Sequence, residues 1–415
     1  MNANVKIFTD QIDEKSRTQI ARLVEQPAFA QAKVRIMPDV HAGMGCVIGF
    51  TADLGDKVIP NIVGVDIGCG MYTLCLGKKK PDLPALDEVM HRNIPGGMHA
   101  HREVVEEFPE LEALRCFDKL KNVPHLRRSL GTLGGGNHFV EVDVDTEGNY
   151  YLILHSGSRN LGHQVCEIYQ KQAIAAHTSA QELREQCHAL AMQLRAEGRE
   201  TEIADAIKAL RAAAPGGGNL IPPALCYLEG EGRLDYLHDM AICQRFALRN
   251  RELMAEIIIG RLGLLAQDAF HTTHNYIDHE SNIVRKGAIS ARLGERLLIP
   301  INMRDGCILG TGKGNDDWNQ SAPHGAGRIM SRTAALDQLS LEEFERQMQG
   351  IYTTTVSKKT LDEAPMAYKG MDAILGHIDP TVEVNDILKP IYNFKAEEAP
   401  TGHRRRNREK RATNA

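Results

Sequence analysis

The chain has 415 residues, with 49 Lys+Arg against 54 Asp+Glu and a formal net charge of −5. Its 42% hydrophobic and 25% charged composition supplies ample core and excludes a disordered, collagen-like or coiled-coil chain. The acidic total argues against nucleic-acid binding, but the charge is uneven: six basic residues (Arg404, Arg405, Arg406, Arg408, Lys410, Arg411) and Glu409 make residues 401–415 +5, leaving −10 for residues 1–400.

The opening MNANVKIFTDQIDEK has no basic stretch followed by an apolar one, so no secretory signal is expected. No apolar run approaches the ~20 residues of a membrane span. Nine cysteines are scattered from Cys46 to Cys307 without a CxxC pair. An odd, scattered set predicts free thiols in a reducing cytoplasm and excludes a zinc ribbon.

The first third reads as strands and turns. KVRIM (33–37), CVIGFTAD (46–53) and 58–77 are rich in Val and Ile and punctuated by Gly and Pro. Residues 100–122 carry Val104, Val105, Phe108, Leu111, Leu114 and Phe117 at helical spacing and predict a helix. HFVEVDVD (138–145) alternates as a strand, with Glu141, Asp143 and Asp145 on one face. YYLIL leads to His155. Residues 164–262 are rich in helix formers and predict a helical insertion, broken by GGGN (216–219) and Pro222–Pro223. The strand pattern is expected to return after Ser281. A helix is expected from about 327, and Ser340 with Glu343 forms a capping box that opens another. The expected fold is α+β: one large unit of mixed sheets flanked by helices over 1–400, then a basic flexible tail at 401–415.

Several motifs fail. GTGKG around Lys313 lacks the outer Gly and the Ser/Thr of a phosphate loop, and H-E-x-x-H is absent. A different set carries the chemistry. Asp66 and Cys69 lie in DIGCG, His138 in GGGNHF, His155 before SGSR, and His274 in HTTHNY. A thiolate, imidazoles and a carboxylate suit Zn, Mn, Fe or Co rather than Ca or Mg. Taken singly, each histidine also fits a packed core role, and Cys69 a small buried hydrophobe. His324, in PHGAGR, precedes small residues and an expected helix start. It suits either a nucleophile or acid/base beside a phosphate, or a capping residue.

Together the strings MPDVHAGMG (37–45), VGVDIGCGM (63–71), GTLGGGNHF (131–139), LHSGSR (154–159), HNY (274–276), RKGA (285–288), HGAGRIMSR (324–332) and PMAYK (365–369) resemble the RNA-splicing ligase RtcB family. They keep the family's order over nearly the whole chain. The resemblance implies an RtcB-like fold and a ligase using GTP and two manganese ions. Its substrates would be RNA with a 2′,3′-cyclic phosphate or 3′-phosphate end and RNA with a 5′-hydroxyl end. Asp66, Cys69 and His138 match the ligands of one manganese. Cys69, His155 and His274 match those of the other, so Cys69 bridges. His324 matches the guanylylated histidine. Asn137, His138, Phe139, Val140, Glu141, His274, Asn275, His324, Gly325, Ala326 and Gly327 match segments touching the guanylate, with Tyr368 near the base and Lys395 reading it. Pro300, Asn302, Met303 and Cys307 belong to a nucleotide-facing loop that departs from the family's PGSMG and later Ser; Ile301 and Arg304 are larger than usual there. The resemblance implies a role in tRNA splicing or RNA repair; that departure points to a divergent paralogue and, with the basic tail, to repair of damaged RNA over tRNA splicing. It also leaves open a metal-dependent 2′,3′-cyclic phosphodiesterase that has lost the nucleotide step. A non-catalytic RNA-binding module would leave the metal-type residues unexplained, and 5% aromatics give few stacking platforms. A cytoplasmic monomer is expected, without membrane contact and with room for an activating protein.

Overall fold

The computed structural model describes residues 4–43, 45–177, 179–213 and 221–396. The basic segment 401–415 and the GGGN break lie outside them. Among the described residues fourteen strands are formed: β1 Val5–Ile7, β2 Val34–His41, β3 Ile48–Asp53, β4 Gly70–Gly77, β5 Phe139–Val144, β6 Tyr150–Ser156, β7 Asp268–Thr273, β8 Asn275–Asp278, β9 Ile283–Lys286, β10 Ala288–Ser290, β11 Arg296–Asn302, β12 Gly306–Gly312, β13 Ser321–Pro323 and β14 Val382–Phe394.

Seven of them make one sheet in the order β11-β12-β14-β5-β6-β4-β7. Its edges meet where Leu298 N–H of β11 donates to Thr272 Oγ1 of β7 at 3.2 Å, so the sheet curls almost closed. A five-stranded sheet, β1-β2-β3-β9-β8, and the pair β10-β13 complete the mixed α+β architecture expected from the sequence.

The expected helix over 100–122 is not there. Pro109 cannot sit inside a helix, because it lacks the N–H and clashes with the preceding turn. Short 3-10 turns at Pro109–Ala113 and Phe117–Lys119 take its place, followed by the helix Val123–Arg128. Leu111, Leu114 and Cys116 are still buried, and buried Asp239 accepts the Arg115 and Cys116 N–H groups at 2.8 and 3.0 Å. The strand-like stretch at 58–77 begins instead with the short helix Pro60–Val63, where proline suits the first turn. Strand structure resumes at Asp268, earlier than expected. The region 164–262 is helical, with helices Arg159–His177, Ser179–Ala196, Ile203–Ala213 and Gly230–Leu262. The first and last of these are no appendage. Tyr169, Tyr236, Met240 and Phe246 are buried in the same cluster as Phe50 and Ile62. Ser340 caps Leu341–Gln347 as expected, its Oγ accepting the Glu343 N–H at 3.4 Å, but the box is only half made, because the Glu343 carboxylate turns to Arg346 and Gln347.

A candidate two-metal centre and nucleotide pocket

The order β5-β6-β4-β7 within the large sheet assembles the site. These strands alternate in direction, so the start of β5, the end of β6, the start of β4 and the end of β7 lie on one rim. His138, His155, Cys69 and His274 occupy those four positions. Phe139 is paired with His155, and Gly70 with both Ser156 and Thr273. Asp66 enters from the preceding turn. Gly68 holds φ +73°, and a Cβ there would lie 2.9 Å from Ala247 Cβ and Gln244 Cα, so only glycine lets this turn lie against the helix Gly230–Leu262.

Cys69 Sγ lies 3.4 Å from His138 Nε2 and 3.2 Å from His155 Nε2. Asp66 Oδ2 is 2.9 Å from His138 Nε2, and the Nε2 atoms of His155 and His274 are 3.4 Å apart. Two groups of candidate ligands follow, Asp66–Cys69–His138 and Cys69–His155–His274, each with its ligand atoms within 4.8 Å of one another. Cys69 is common to both. His138 Nδ1–H donates to Leu133 O at 2.9 Å and His155 Nδ1–H to Asn137 O at 3.1 Å, which leaves each Nε2 lone pair facing the centre.

The electrostatics agree with a site built for cations. Burial lowers the His155 and His274 imidazoles, and neighbouring positive groups add to it, so both stay neutral and able to coordinate. Burial and the Asp66 charge raise the Cys69 thiol; a divalent ion reverses that, because it binds the thiolate. Burial opposes ionisation of Asp66, yet the charge and hydrogen bond of His138, when that ring is protonated in place of a bound metal, hold its carboxyl well below the usual range.

Beside the rim lies a cavity of about 720 Å³. His324 stands at its edge, its ring centroid 4.9 Å from that of His274. Its Nδ1–H donates to Asp39 Oδ2 at 2.6 Å, and its backbone N–H donates to the same oxygen at 3.1 Å. Asp39, on β2, is completely buried. The pair fixes the tautomer with Nε2 bare, as the aspartate of a serine-protease triad does for its histidine. No helix begins at 327 as expected. The next one is Arg332–Gln338, capped by Ser331, so HGAGR is a loop that lines the cavity ahead of the helix, whose cap Ser331 and first residue Arg332 line it too.

Asn137, Phe139, Glu141, Pro300, Asn302, Met303, Gly325, Ala326, Gly327, Tyr368 and Lys395 all line this cavity. Val140 does not; its side chain is buried on the opposite face of β5 with Val142 and Leu154. Asn275 acts one step away, its Oδ1 accepting Gly287 N–H at 2.9 Å beneath His324. Cys307 lies under the cavity floor, 3.8 Å from Glu141 Oε1. Arg304, a concern from the sequence, is turned outward onto Asp305, its Nε donating at 2.7 Å. Asn302 Oδ1 accepts the Arg304 and Asp305 N–H groups at 3.0 Å each, so it closes the β11–β12 turn.

Some residues were missed from sequence. Buried Glu363 gathers Lys395 Nζ at 3.0 Å, Arg332 Nη1 at 2.9 Å, Arg328 Nη1 at 3.3 Å and the Tyr368 hydroxyl at 2.6 Å. Burial opposes its charge, but these cations hold its carboxyl at about 2. The helix Gly230–Leu262 carries the support of the candidate rim. Buried Arg251 donates to Gly68 O at 2.7 Å and Ser156 O at 2.8 Å, and Asn250 Oδ1 accepts the Gly131 and Thr132 N–H groups at 2.8 and 2.9 Å. Asp39 sits in a quoted string, MPDVH, and was legible as a motif though not as a partner of His324.

A family profile described as "tRNA-splicing ligase RtcB" matches residues 19–116 and 117–396. The chain is 30% identical to "RNA-splicing ligase RtcB" of Escherichia coli K12, with 95% of this chain and 98% of the relative aligned. It is 27% identical to "tRNA-splicing ligase RtcB" of Archaeoglobus fulgidus over 88% of this chain and 87% of the relative. It is 27% identical to "RNA-splicing ligase RtcB" of Mycobacterium tuberculosis over 86% and 94%.

Proposed function

The chain belongs to the RtcB family, and from its geometry we propose that it is a GTP- and manganese-dependent ligase joining RNA 2′,3′-cyclic phosphate or 3′-phosphate ends to 5′-hydroxyl ends. The observation that carries this reading is the placement of His324. One side of its ring faces a buried carboxylate, the other is bare beside a five-ligand metal rim, and a cation-lined cavity of nucleotide size adjoins it.

The donor set fits two borderline divalent ions. Asp66, Cys69 and His138 would hold one, and Cys69, His155 and His274 the other. Such ions neutralise phosphate charge and orient the reacting oxygens. The chain's own residues do the rest. Asp39 holds the Nδ1–H of His324, so in the neutral ring Nε2 is the free nitrogen and attacks the α-phosphorus of GTP. The N–P bond forms, the bond to pyrophosphate breaks, and the guanylate is left on His324. An oxygen of the RNA 3′-phosphate then displaces His324 from phosphorus, giving an RNA–pp–G end. The 5′-hydroxyl attacks the RNA phosphate, GMP leaves, and a 3′,5′-phosphodiester results. A cyclic phosphate must first be opened by water. Arg328, Arg332 and Lys395 offer positive charge and hydrogen-bond donors to the nucleotide, with Tyr368 and Glu141 on the same cavity.

The phosphodiesterase alternative rested on the altered loop at 300–307. Arg304 turned out of the cavity and Asn302 engaged in its own turn weaken that objection. We read the enzyme as a cytoplasmic monomer acting in tRNA splicing or RNA repair. Among the described residues no helix is long and apolar enough to cross a membrane, and all nine cysteines are free.

The test is incubation with manganese and GTP labelled at the α-phosphate. Acid-labile label on the protein, lost in His324→Ala, is expected. Absence of label with cyclic-phosphate opening retained would establish the hydrolase instead.

A further inference from the structure

A second group of metal-type side chains lies beneath the nucleotide cavity and shares no residue with the rim. Glu141 and Asp143 project from the same face of β5. Cys307 reaches the same point from β12, and Asn393 from β14, the strand between them. Glu141 is 2% exposed, Asp143 0%, Cys307 0% and Asn393 1%. The carboxylate oxygens and the sulfur lie within 4.8 Å of one another, and Cys307 Sγ is 3.8 Å from Glu141 Oε1.

Several polar atoms of this group are left without partners. Both oxygens of Asp143 are buried without any hydrogen-bond partner, and so is Asn393 Oδ1. Asn393 Nδ2 donates to Glu141 Oε2 at 2.5 Å, and rotation of that amide would bring Oδ1 to the same place. The surroundings are apolar: Met71, Ile153, Leu298 and Leu388 pack with Cys307. The nearest ammonium, Lys395, is engaged with Glu363 and Asn137 O. Two carboxyls and a thiol in such a layer are costly as bare charges. A proton shared between Glu141 and Asp143 would relieve part of that cost, but it still leaves Asn393 Oδ1 and the second Asp143 oxygen without donors. Bond lengths of ~2.0–2.3 Å place two ligands of one ion ~3.3–4.6 Å apart, a spacing this trio reaches with a small inward movement.

We propose that Glu141, Asp143 and Cys307, with Asn393 Oδ1 as a fourth donor, form a third and structural metal site for Zn²⁺ or an ion of similar size and softness. The ion sits under the nucleotide cavity and fixes the Glu141 carboxylate that faces it. One thiolate and two carboxylates select a borderline transition ion over Ca²⁺ or Mg²⁺. Burial raises all three groups, Glu141 to about 7, so uptake releases their protons and strengthens as pH rises.

The full chain is saturated with Zn²⁺, desalted and assayed for metal by mass spectrometry. Wild type is expected to hold about three equivalents, and Asp143→Asn and Cys307→Ser about two each. In Cys69→Ala, where the rim thiolate is gone, Co²⁺ should still give a thiolate-to-cobalt absorption band, and Cys307→Ser added to it should abolish the band. That arm reads the buried site whether or not the rim acts in guanylylation. Metal-free Asp143→Asn should melt no lower than metal-free wild type, because it removes a buried carboxyl without changing shape. Saturation of wild type at about two equivalents, retention of the third in both variants, or no band in Cys69→Ala would overturn the site.

Discussion

Asp39 makes the most exacting demand on the proposed mechanism. Its Oδ2 accepts both the Nδ1–H and the backbone N–H of His324, and it is wholly buried. When Nε2 bonds to phosphorus the imidazole becomes cationic, and its Nδ1–H presses harder on that carboxylate. Asp39→Asn keeps the shape: the amide oxygen takes the place of Oδ2, and the NH₂ takes that of Oδ1, which has no partner. What is lost is the difference between a charge-assisted and a neutral hydrogen bond, about 1.5 kcal/mol, or about tenfold in rate. Asp39→Ala removes the acceptor of both N–H groups and frees the tautomer, which should cost about 3–4 kcal/mol, or about 10²–10³-fold. The assay is the single-turnover rate of label transfer from α-labelled GTP to protein, with thermal melting as the control for folding. Labelling of both variants within about twofold of wild type would refute the role of Asp39, as would an asparagine variant slower than the alanine one.

Glu363 supplies a pH dependence. Its folded carboxyl lies at about 2, below the ordinary value of 4.5, so its stabilisation is full above the unfolded value and is lost as pH falls from there toward 2. That shift corresponds to roughly 3 kcal/mol, and urea midpoints between pH 5 and about 2 should fall more steeply in wild type than in Glu363→Gln. Removing residues 401–415 should weaken RNA binding and flatten its salt dependence while leaving guanylylation of His324 unchanged; equal salt slopes for the two chains would rule out an RNA role for that segment. Arg102 and Arg261 line a second cleft of about 1370 Å³ that Lys395 also borders. Charge reversal at both should likewise lower RNA affinity without affecting labelling by GTP, measured by fluorescence anisotropy at fixed salt.

Local signals were read well where short-range physics decides. Alternation gave β5, the Ser340 cap holds, and glycine-rich turns marked the rim. The reading failed at 100–122, where helical spacing of apolar residues was honoured as burial without a helix because Pro109 forbids one. It also failed for the helix Gly230–Leu262. Nothing in its composition separates Asn250 and Arg251 from surface residues, because their roles depend on carbonyl and amide groups more than 90 residues away in sequence.

By itself, then, the sequence determined the α+β class and the family, and it singled out as candidates the five residues that converge on the rim and His324, because each lies in a short string whose chemistry is local. Only the tertiary structure decided that four adjacent antiparallel strands bring those residues to one rim, that Asp39 orients His324 across 285 positions, and that Arg304 points outward. It also decided that Glu141 and Asp143 face a buried thiol and not water. Strand alternation assigns a residue to a face, but what covers that face is set by strand order and packing, which are long-range.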